Sequence, residues 1–259
     1  MEEAKKNEYR PSFTKIEDQI IKDPIAEYIL AKPKENQIAD ITYQIMKIIG
    51  NMYPIADQEI QKYVSRILEG LNAEQLRDIL VRKWSYTDKI KAKIRSLSDE
   101  YAEKRFNDLI KSRKIKVMSN WTLPEAIVPG NLGSSIGNSL YEREGSMNNF
   151  EEKVIMEIGT SSNVVFWHRN LERGKGFYIN GFKANHYPDF ILYTKSGKTI
   201  LVETKGDHLD NTDSAAKCRL GNEWEKQAGH DFAYFMIFDQ KEVDGAYTLD
   251  KAKELIKEM

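Results

Sequence analysis

The most restrictive feature of the chain is the stretch YPDFILYTKSGKTILVETKGDH, which covers residues 187 to 208. Two apolar runs flank the tripeptide KSG at 195 to 197, a composition typical of a β-hairpin whose loop places its glycine in the left-handed region. In the register that a three-residue loop sets, Asp189 lies directly opposite Glu203. Directly opposed residues share a face of the sheet, with their Cβ atoms about 4.5–5.5 Å apart. The sequence therefore predicts two carboxylates side by side at one end of a hairpin.

Such a carboxylate pair predicts a cation site. Two carboxylates at this distance repel each other unless a cation lies between them, and the run ILV at 200 to 202 is typical of a strand buried on both faces, where unpaired charge is costly. Lys205 lies two residues beyond Glu203 and so points to the same face. Carboxylate oxygens suit Mg²⁺, with Mn²⁺ as a substitute and a substrate phosphate completing the shell. We therefore expect Asp189 and Glu203 to be metal ligands, with the ammonium group of Lys205 beside them. The alternative is a surface ion-pair ladder of the same three side chains.

Helical periodicity selects a third acid. Apolar residues between 147 and 158 form one stripe of a helix at about 100° per residue, and Glu151 falls inside that stripe whereas Glu152 falls outside it. A carboxylate on the buried face of a helix needs a partner. We therefore expect Glu151 to be a further catalytic carboxylate and metal ligand, and the alternative is an ion pair with a neighbouring Arg or Lys.

Positive charge is concentrated in one segment of a chain whose net charge is only -1. Residues 77 to 116 contain thirteen Lys and Arg against six Asp and Glu, a local net charge of +7. Such a segment is typical of a surface that binds a polyanion, and the alternative is a solvated helix face. The candidate DNA-binding residues are Lys89, Lys91, Lys93 and Arg95 in this segment, with Arg169 and Asn170 at a predicted strand end and Lys217 on the helix after the hairpin. For the last three the alternatives are a rim ion pair or a solvent-facing side chain.

Three segments of the chain differ in pattern. Residues 1 to 114 have helical periodicity and become basic from 77, residues 115 to 146 form a connector rich in Pro and Gly, and residues 147 to 259 alternate between helix and strand patterns. The expected elements of the last segment are helices over 150 to 158, 214 to 228 and 249 to 257, and strands over 164 to 167, 177 to 179, 189 to 193, 199 to 203 and 232 to 238. This order predicts an α/β fold, with a helical N-terminal region followed by a core that has a central mixed β-sheet flanked by helices.

The composition disfavours membrane and secreted proteins. No window of about 18 apolar residues predicts a membrane span, and the charged N-terminus lacks the apolar segment of a secretory signal. The single cysteine, Cys218, has no partner for an internal disulfide, which favours a reducing compartment. We therefore expect a cytoplasmic protein that does not bind membranes.

The order of motifs in this chain resembles that of the PD-(D/E)xK nuclease superfamily. It consists of a helix with a Glu, a strand, a strand that begins with Pro-Asp, a strand that ends with Glu-x-Lys, a helix and a further strand. Four segments resemble, more specifically, the C-terminal endonuclease region of the restriction subunit of type III restriction enzymes: WTLPEAIVPG, SLYEREGSMNNFEEKV, FWHRN, and YPDFIL with LVETKGDH. This resemblance implies a restriction-endonuclease-like core over residues 147 to 259 and Mg²⁺-dependent hydrolysis of DNA phosphodiester bonds. It assigns metal binding to Asp189 and Glu203, and orientation or activation of water to Lys205. Glu151 corresponds to the carboxylate that the family has on the preceding helix.

The resemblance also implies partners. Restriction subunits of this type carry an ATP-driven motor and act with a DNA methyltransferase subunit, and double-strand cleavage by one site per chain needs two chains. The motif G-x-x-x-x-G-K-[ST], which binds nucleotide phosphates in such motors, does not occur in this sequence. We therefore expect an endonuclease for double-stranded DNA that lacks the ATPase motor, with a methyltransferase, a motor region and a second chain as candidate partners. Two alternatives remain open: a non-catalytic DNA-binding or assembly module, and a structure-specific repair nuclease with the same core.

Overall fold

The computed structural model describes residues 24 to 117, 122 to 171 and 174 to 259. The first 23 residues of the predicted helical region and residues 118 to 121 of the predicted connector, with Trp121 of the WTLPEAIVPG segment, lie outside the described residues. The chain divides into two compact units, an N-terminal unit that ends at Glu100 and a C-terminal unit over Tyr101–Met259. Within the described ranges, no helix combines the length and apolar character needed to cross a bilayer.

The N-terminal unit is helical, as the sequence predicts. Its helices are α1 (Pro24–Leu30), α2 (Lys34–Ile49), α3 (Asp57–Glu69), α4 (Ala73–Val81) and the first part of α5 (Lys83–Lys111). Apolar side chains three or four residues apart on these helices form one core, with Ile45, Val64 and Ile90 among its members. Burial of one face of each helix therefore holds this unit together.

The C-terminal unit is built on a mixed five-stranded sheet. Its elements are α6 (Asn149–Val154), which continues into a π-helical turn (Ile155–Gly159), β1 (Val164–Arg169), β2 (Phe190–Thr194), β3 (Thr199–Lys205), a 3-10 turn (Asp207–Leu209), α7 (Thr212–Ala228), β4 (Phe232–Phe238), β5 (Tyr247–Thr248) and α8 (Leu249–Glu258). The strands lie in the order β1-β2-β3-β4-β5. Neighbours among β1, β2 and β3 are antiparallel, whereas β3, β4 and β5 are parallel. The predicted α/β fold with a mixed sheet flanked by helices is confirmed.

Helices cover both faces of this sheet. On one face Phe190 and Val202 pack in a cluster with residues of α6 and α8. On the other face Ile191 and Leu201 pack in a cluster with Cys218 of α7. Because alternate residues of a strand point to opposite faces, β3 is apolar without interruption at its centre, as predicted for a strand that is covered on both sides.

The segment over 177 to 179 is not a strand, so that prediction is wrong. Ile179 forms an isolated bridge with His186 through backbone hydrogen bonds of 2.8 and 2.9 Å. The backbone of Phe177 is bound by the Asn170 side chain, whose Oδ1 accepts from the Phe177 amide and whose Nδ2 donates to the Phe177 carbonyl. A side-chain amide, which carries both a donor and an acceptor, therefore takes the place of a neighbouring strand.

Candidate active site

The β2–β3 hairpin has the predicted register. Its paired residues run from Tyr193 opposite Thr199 to Phe190 opposite Val202, and the loop closes with Gly197 at a φ of 87°. Continuing this register by one residue places Asp189 opposite Glu203. The two carboxylates therefore come from directly opposed positions at the open end of the hairpin, beside the crossover that leads through α7 to β4.

Glu203 is the most unusual group at this end of the sheet. Its side chain is buried, with Oε1 2.5 Å from the Nζ of Lys205 and 3.8 Å from the Nζ of Lys217. Its second oxygen, Oε2, is buried and has no hydrogen-bond partner. Burial raises the pKa of Glu203 to about 7, and the nearby carboxylate of Asp189 adds to the shift in spite of both lysines. A buried acceptor without a partner destabilises a fold, so this oxygen is a candidate ligand atom.

Asp189 is held in place by the next residue of β3. Its Oδ2 accepts hydrogen bonds from the Thr204 backbone amide at 2.7 Å and from the Thr204 hydroxyl at 2.8 Å. Its backbone carbonyl accepts from the amide of Asn170 at 2.9 Å. Three bonds from two strand ends therefore fix the position of this residue.

Glu151 is buried, as helical periodicity predicts. Its Oε2 accepts from the Asn148 amide at 2.9 Å and closes a capping box at the start of α6. The same oxygen lies 3.2 Å from Nη2 of Arg169. Burial raises the pKa of Glu151, and the charge of Asp189 acts in the same direction, while the Asn148 amide and Arg169 oppose the shift. The ion pair with an arginine is the alternative that the sequence leaves open for this residue.

Lys205 and Lys217 bring positive charge to Glu203. Burial lowers the pKa of Lys205, but attraction to Glu203 and then to Asp189 outweighs burial, and the net pKa is raised. Lys205 is therefore a cation at neutral pH. Lys217 lies on α7 between Glu203 and Asp213, 3.3 Å from an oxygen of the latter, so its side chain faces the acidic end of β3.

Arg169 and Asn170 lie at the end of β1, where the sequence predicts them, and both bind protein groups. Besides Glu151, Arg169 binds the Ser146 carbonyl through Nε at 3.0 Å, and its guanidinium lies 5.4 Å from the centre of the Phe190 ring. The Asn170 amide donates to the carbonyls of Phe177 and Pro188, both at 2.8 Å. These bonds use both of its donors, so Asn170 acts as a positioning residue for the Pro188-Asp189 backbone.

Lys89, Lys91, Lys93 and Arg95 all lie on α5 in the N-terminal unit. At about 100° per residue, Lys91 and Arg95 project from one side of this helix and Lys89 and Lys93 from another. These four residues therefore form two pairs of cations rather than one continuous row.

Sequence reasoning missed His186 and Tyr234, which lie behind the acidic end of the sheet. His186 is buried, and its Nε2 is hydrogen-bonded to the Tyr234 hydroxyl at 2.9 Å. Burial lowers the pKa of His186 to about 3, and the charges of Lys217 and Lys205 act in the same direction. This histidine is therefore neutral at physiological pH. Its only indication in the sequence is its position directly before Tyr187-Pro188.

A second buried pair joins the connector to β1. Nδ1 of His168 lies 3.0 Å from Oε2 of Glu144, which also accepts from the Arg169 amide at 3.3 Å. Both side chains are buried. The connector therefore fixes the strand end from which Arg169 reaches Glu151.

The three predicted carboxylates do not converge on one point. Among the described residues, no three His, Cys, Asp or Glu side chains are grouped as a metal site requires. The physical reason lies in their partners, because Thr204 holds Asp189 while Asn148 and Arg169 hold Glu151. The structure brings together Asp189, Glu203 and Lys205, with the two carboxylates in opposed positions.

Comparison of the chain with protein-family models, with curated proteins and with solved structures gave no match.

Proposed function

We propose that this protein is a metal-dependent deoxyribonuclease that hydrolyses phosphodiester bonds at Asp189, Glu203 and Lys205. The observation that carries the proposal is the buried carboxylate of Glu203, with one oxygen unpartnered beside a second carboxylate and an ammonium group. Leaving a buried acceptor unsatisfied costs about 1–3 kcal/mol, and more for a charged group. Stability alone gives no reason for this arrangement, whereas a cation ligand does.

The chemistry of the donor set fits a hard divalent cation. Carboxylate oxygens are the ligands that Mg²⁺ prefers in proteins, and Mn²⁺ accepts the same ligands. Glu203, through its free oxygen, and Asp189 are the residues that would hold such an ion, with Glu151 as a third candidate. Once bound, the ion lowers the pKa of a coordinated water and polarises a phosphate oxygen.

The cations of the chain complete the site. The Lys205 ammonium, fixed against Glu203, offsets negative charge that builds up on a phosphate during hydrolysis. Lys217 adds a second positive charge on the same side, where a DNA phosphate approaches. Arg169 contacts Glu151 and is therefore proposed to position that carboxylate. It is also proposed to contact DNA.

The substrate that we propose is double-stranded DNA. The hairpin β2–β3 that leads through α7 into the parallel strand β4 supports a restriction-endonuclease-like core, and the four segments that resemble type III restriction subunits support the same reaction. The lysines of α5 are proposed to hold the DNA backbone. A methyltransferase subunit, a motor region and a second copy of the chain remain proposed partners.

A plasmid-cleavage assay tests this function. Supercoiled plasmid is incubated with the protein in Mg²⁺, Mn²⁺ or EDTA, and the expected products are nicked and linear forms with either metal and none in EDTA. Asp189→Asn should cleave at least about a hundredfold more slowly, because several kcal/mol of metal-derived stabilisation is lost. The matched control is Glu157→Gln, which changes a carboxylate of the π-helical turn that pairs with Lys253. Cleavage by Asp189→Asn at the wild-type rate contradicts the proposal.

One observation favours a second candidate, a non-catalytic DNA-binding or assembly module. The described residues contain no group of three metal-ligating side chains, so the site lacks the ligand number of a preformed metal centre. On this alternative, DNA binding is kept and cleavage is absent with both metals in the wild-type protein. The same plasmid assay, combined with a DNA-binding titration, separates the two candidates.

A further inference from the structure

The N-terminal unit exposes large aromatic side chains next to lysines. Nζ of Lys32 lies 4.5 Å from the centre of the Tyr28 ring, and Nζ of Lys47 lies 4.5 Å from that of Tyr43. Tyr28 is 66% exposed, Tyr43 61% and Trp84 65%. Each ring leaves apolar area in water that stacking against a partner would bury.

Contacts between helices connect these rings. On α2, Asp40, Tyr43, Gln44 and Lys47 are spaced by three, four and seven residues and so lie on one side of the helix. At one end of this row, Nζ of Lys32 binds Asp40 at 2.6 Å. The same Nζ lies over the Tyr28 ring, so Tyr28 lies at this end of the row.

Helix α5 meets the same row in its middle. Lys83 lies 3.5 Å from the side-chain oxygen of Gln44, and Tyr43 and Trp84 are the chain neighbours of these two residues. Each ring is therefore attached one residue away from this contact along its own helix. We call this region the aromatic–lysine surface, defined by Tyr28, Lys32, Tyr43, Lys47, Lys83 and Trp84.

The positive charge continues from this surface along α5. Lys91 and Arg95 follow Trp84 by seven and eleven residues, which places them within about 20° of it around the helix axis. Among the described residues, neither Lys47 nor Lys83 forms an ion pair with an acid. The charges of Lys47 and Lys83 are therefore available to a partner, whereas Lys32 pairs with Asp40.

We propose that the aromatic–lysine surface binds single-stranded nucleic acid, with bases stacked on Tyr43 and Trp84 and phosphates beside Lys47, Lys83, Lys91 and Arg95. Bases offer flat faces and phosphates offer negative charge, so one ligand satisfies both features of the surface. In a duplex the bases stack on one another, and the exposed rings have nothing to bind. An apolar protein partner would leave the lysines unpaired.

This inference rests on the proposed function for the choice of a nucleic acid as partner. It adds that the preferred substrate contains a single-stranded segment, such as a flap, a gap or an overhang, next to the duplex that is cut. The N-terminal unit binds that segment, and the bases need no particular sequence because every base has a face that stacks.

Fluorescence anisotropy of the full chain in EDTA tests the inference without cleavage. The probe is a fluorescein-labelled oligothymidine of about 20 nucleotides, longer than the roughly 4–16 nucleotides of one such site. The double variant Tyr43→Ala/Trp84→Ala should bind about tenfold more weakly or worse, because two stacked bases lose their partners. Tyr101→Ala is the matched control, since Tyr101 is 70% exposed on the same helix outside the surface and should leave the affinity unchanged.

Three further measurements make the outcome decisive. A thermal melt shows whether the double variant is folded. Should it not fold, Lys47→Gln/Lys83→Gln replaces it, and the slope of the salt dependence should fall by about 0.7 for each phosphate that is no longer bound. Asp189→Asn should bind the oligonucleotide with the same affinity as the wild type. A loss of cleavage and a loss of binding at the aromatic–lysine surface can therefore be told apart. Equal affinity of wild type and folded double variant, or unchanged salt dependence of the lysine variant, overturns the inference and leaves a protein partner as the occupant.

Discussion

Nζ of Lys205 lies 2.5 Å from one oxygen of Glu203, while the other oxygen of that carboxylate is buried without a hydrogen bond. The ion pair compensates only part of the cost of burying the charge, as the raised pKa of Glu203 indicates. Asp189, opposite Glu203 in the hairpin, adds repulsion. A further cation that enters between the two carboxylates would relieve this repulsion and supply the free oxygen with a partner.

The contribution of Glu203 to the stability of the metal-free protein should fall as the pH rises from about 4.5 to about 7. Glu203 ionises near its ordinary pKa of 4.5 in the unfolded chain, but burial raises its pKa to about 7 in the folded protein. Between these values the folded state binds the extra proton, so the contribution of Glu203 is fully present below pH 4.5 and is lost as the pH rises through 7. The loss amounts to about 3 kcal/mol, at about 1.4 kcal/mol for each pKa unit.

Urea unfolding in EDTA between pH 4.5 and 8 measures this effect. The difference in unfolding free energy between wild type and Glu203→Gln should change across that window, because Gln carries no titrating proton. A difference that stays constant with pH shows that Glu203 does not titrate in this range.

Lys205→Met should abolish most of the metal-dependent cleavage, by about a hundredfold or more, because the reacting phosphate loses the electrostatic stabilisation of the ammonium group. The change also leaves Glu203 without its closest cation, so its pKa rises further and the melting temperature falls at pH 8 more than at pH 5. The control is Lys253→Met, which removes a lysine that pairs with Glu157 outside the site. Cleavage by Lys205→Met within twofold of the wild-type rate would remove this lysine from the mechanism.

Two substitutions at Glu151 separate its structural role from a role in metal binding. Glu151→Gln keeps an oxygen that accepts from the Asn148 amide, so the capping box and the melting temperature should be preserved. Glu151→Ala loses that bond and should destabilise the protein by about 1 kcal/mol. If Glu151 holds the ion, cleavage at limiting Mg²⁺ falls in both variants. A fall only in Glu151→Ala assigns the residue to the helix cap alone.

The two cation pairs of α5 should differ in their effect on DNA binding. Changing all four residues, Lys89, Lys91, Lys93 and Arg95, to Gln should weaken binding of duplex DNA and flatten its salt dependence, by about 0.9 in slope for each phosphate that is no longer neutralised. Changing only Lys91 and Arg95, which share the side of Trp84, should weaken binding of the single-stranded oligothymidine more than changing only Lys89 and Lys93. Titrations at several salt concentrations in Ca²⁺ measure both. An unchanged slope in the quadruple variant assigns DNA binding to the C-terminal unit.

Local sequence patterns predicted the positions of the site residues on their strands and helix. The KSG loop sets the hairpin register, and this local constraint is why the opposition of Asp189 and Glu203 followed from the sequence. Helical periodicity likewise placed Glu151 on the buried side of α6. Alternation along β3 placed Lys205 on the side of Glu203.

The partners of these side chains depend on contacts far apart in the chain, and the sequence did not predict them. Thr204 binds Asp189, and Arg169 on another strand binds Glu151, because of how the strand ends and α6 pack together. The side chain of Asn170 replaces a strand at 177 to 179. Such pairings follow from three-dimensional neighbours rather than from spacing, and they explain why the three acids are not gathered into one metal-ligand group.

Calorimetric titration with Mn²⁺ shows whether Asp189 and Glu203 together hold a divalent ion. Wild type, Asp189→Asn and the control Glu157→Gln are each titrated after removal of metal with EDTA. We expect saturable binding by the wild type and by Glu157→Gln, and loss of binding in Asp189→Asn. Equal binding heats and affinities in all three proteins, or no binding by the wild type, would contradict this expectation.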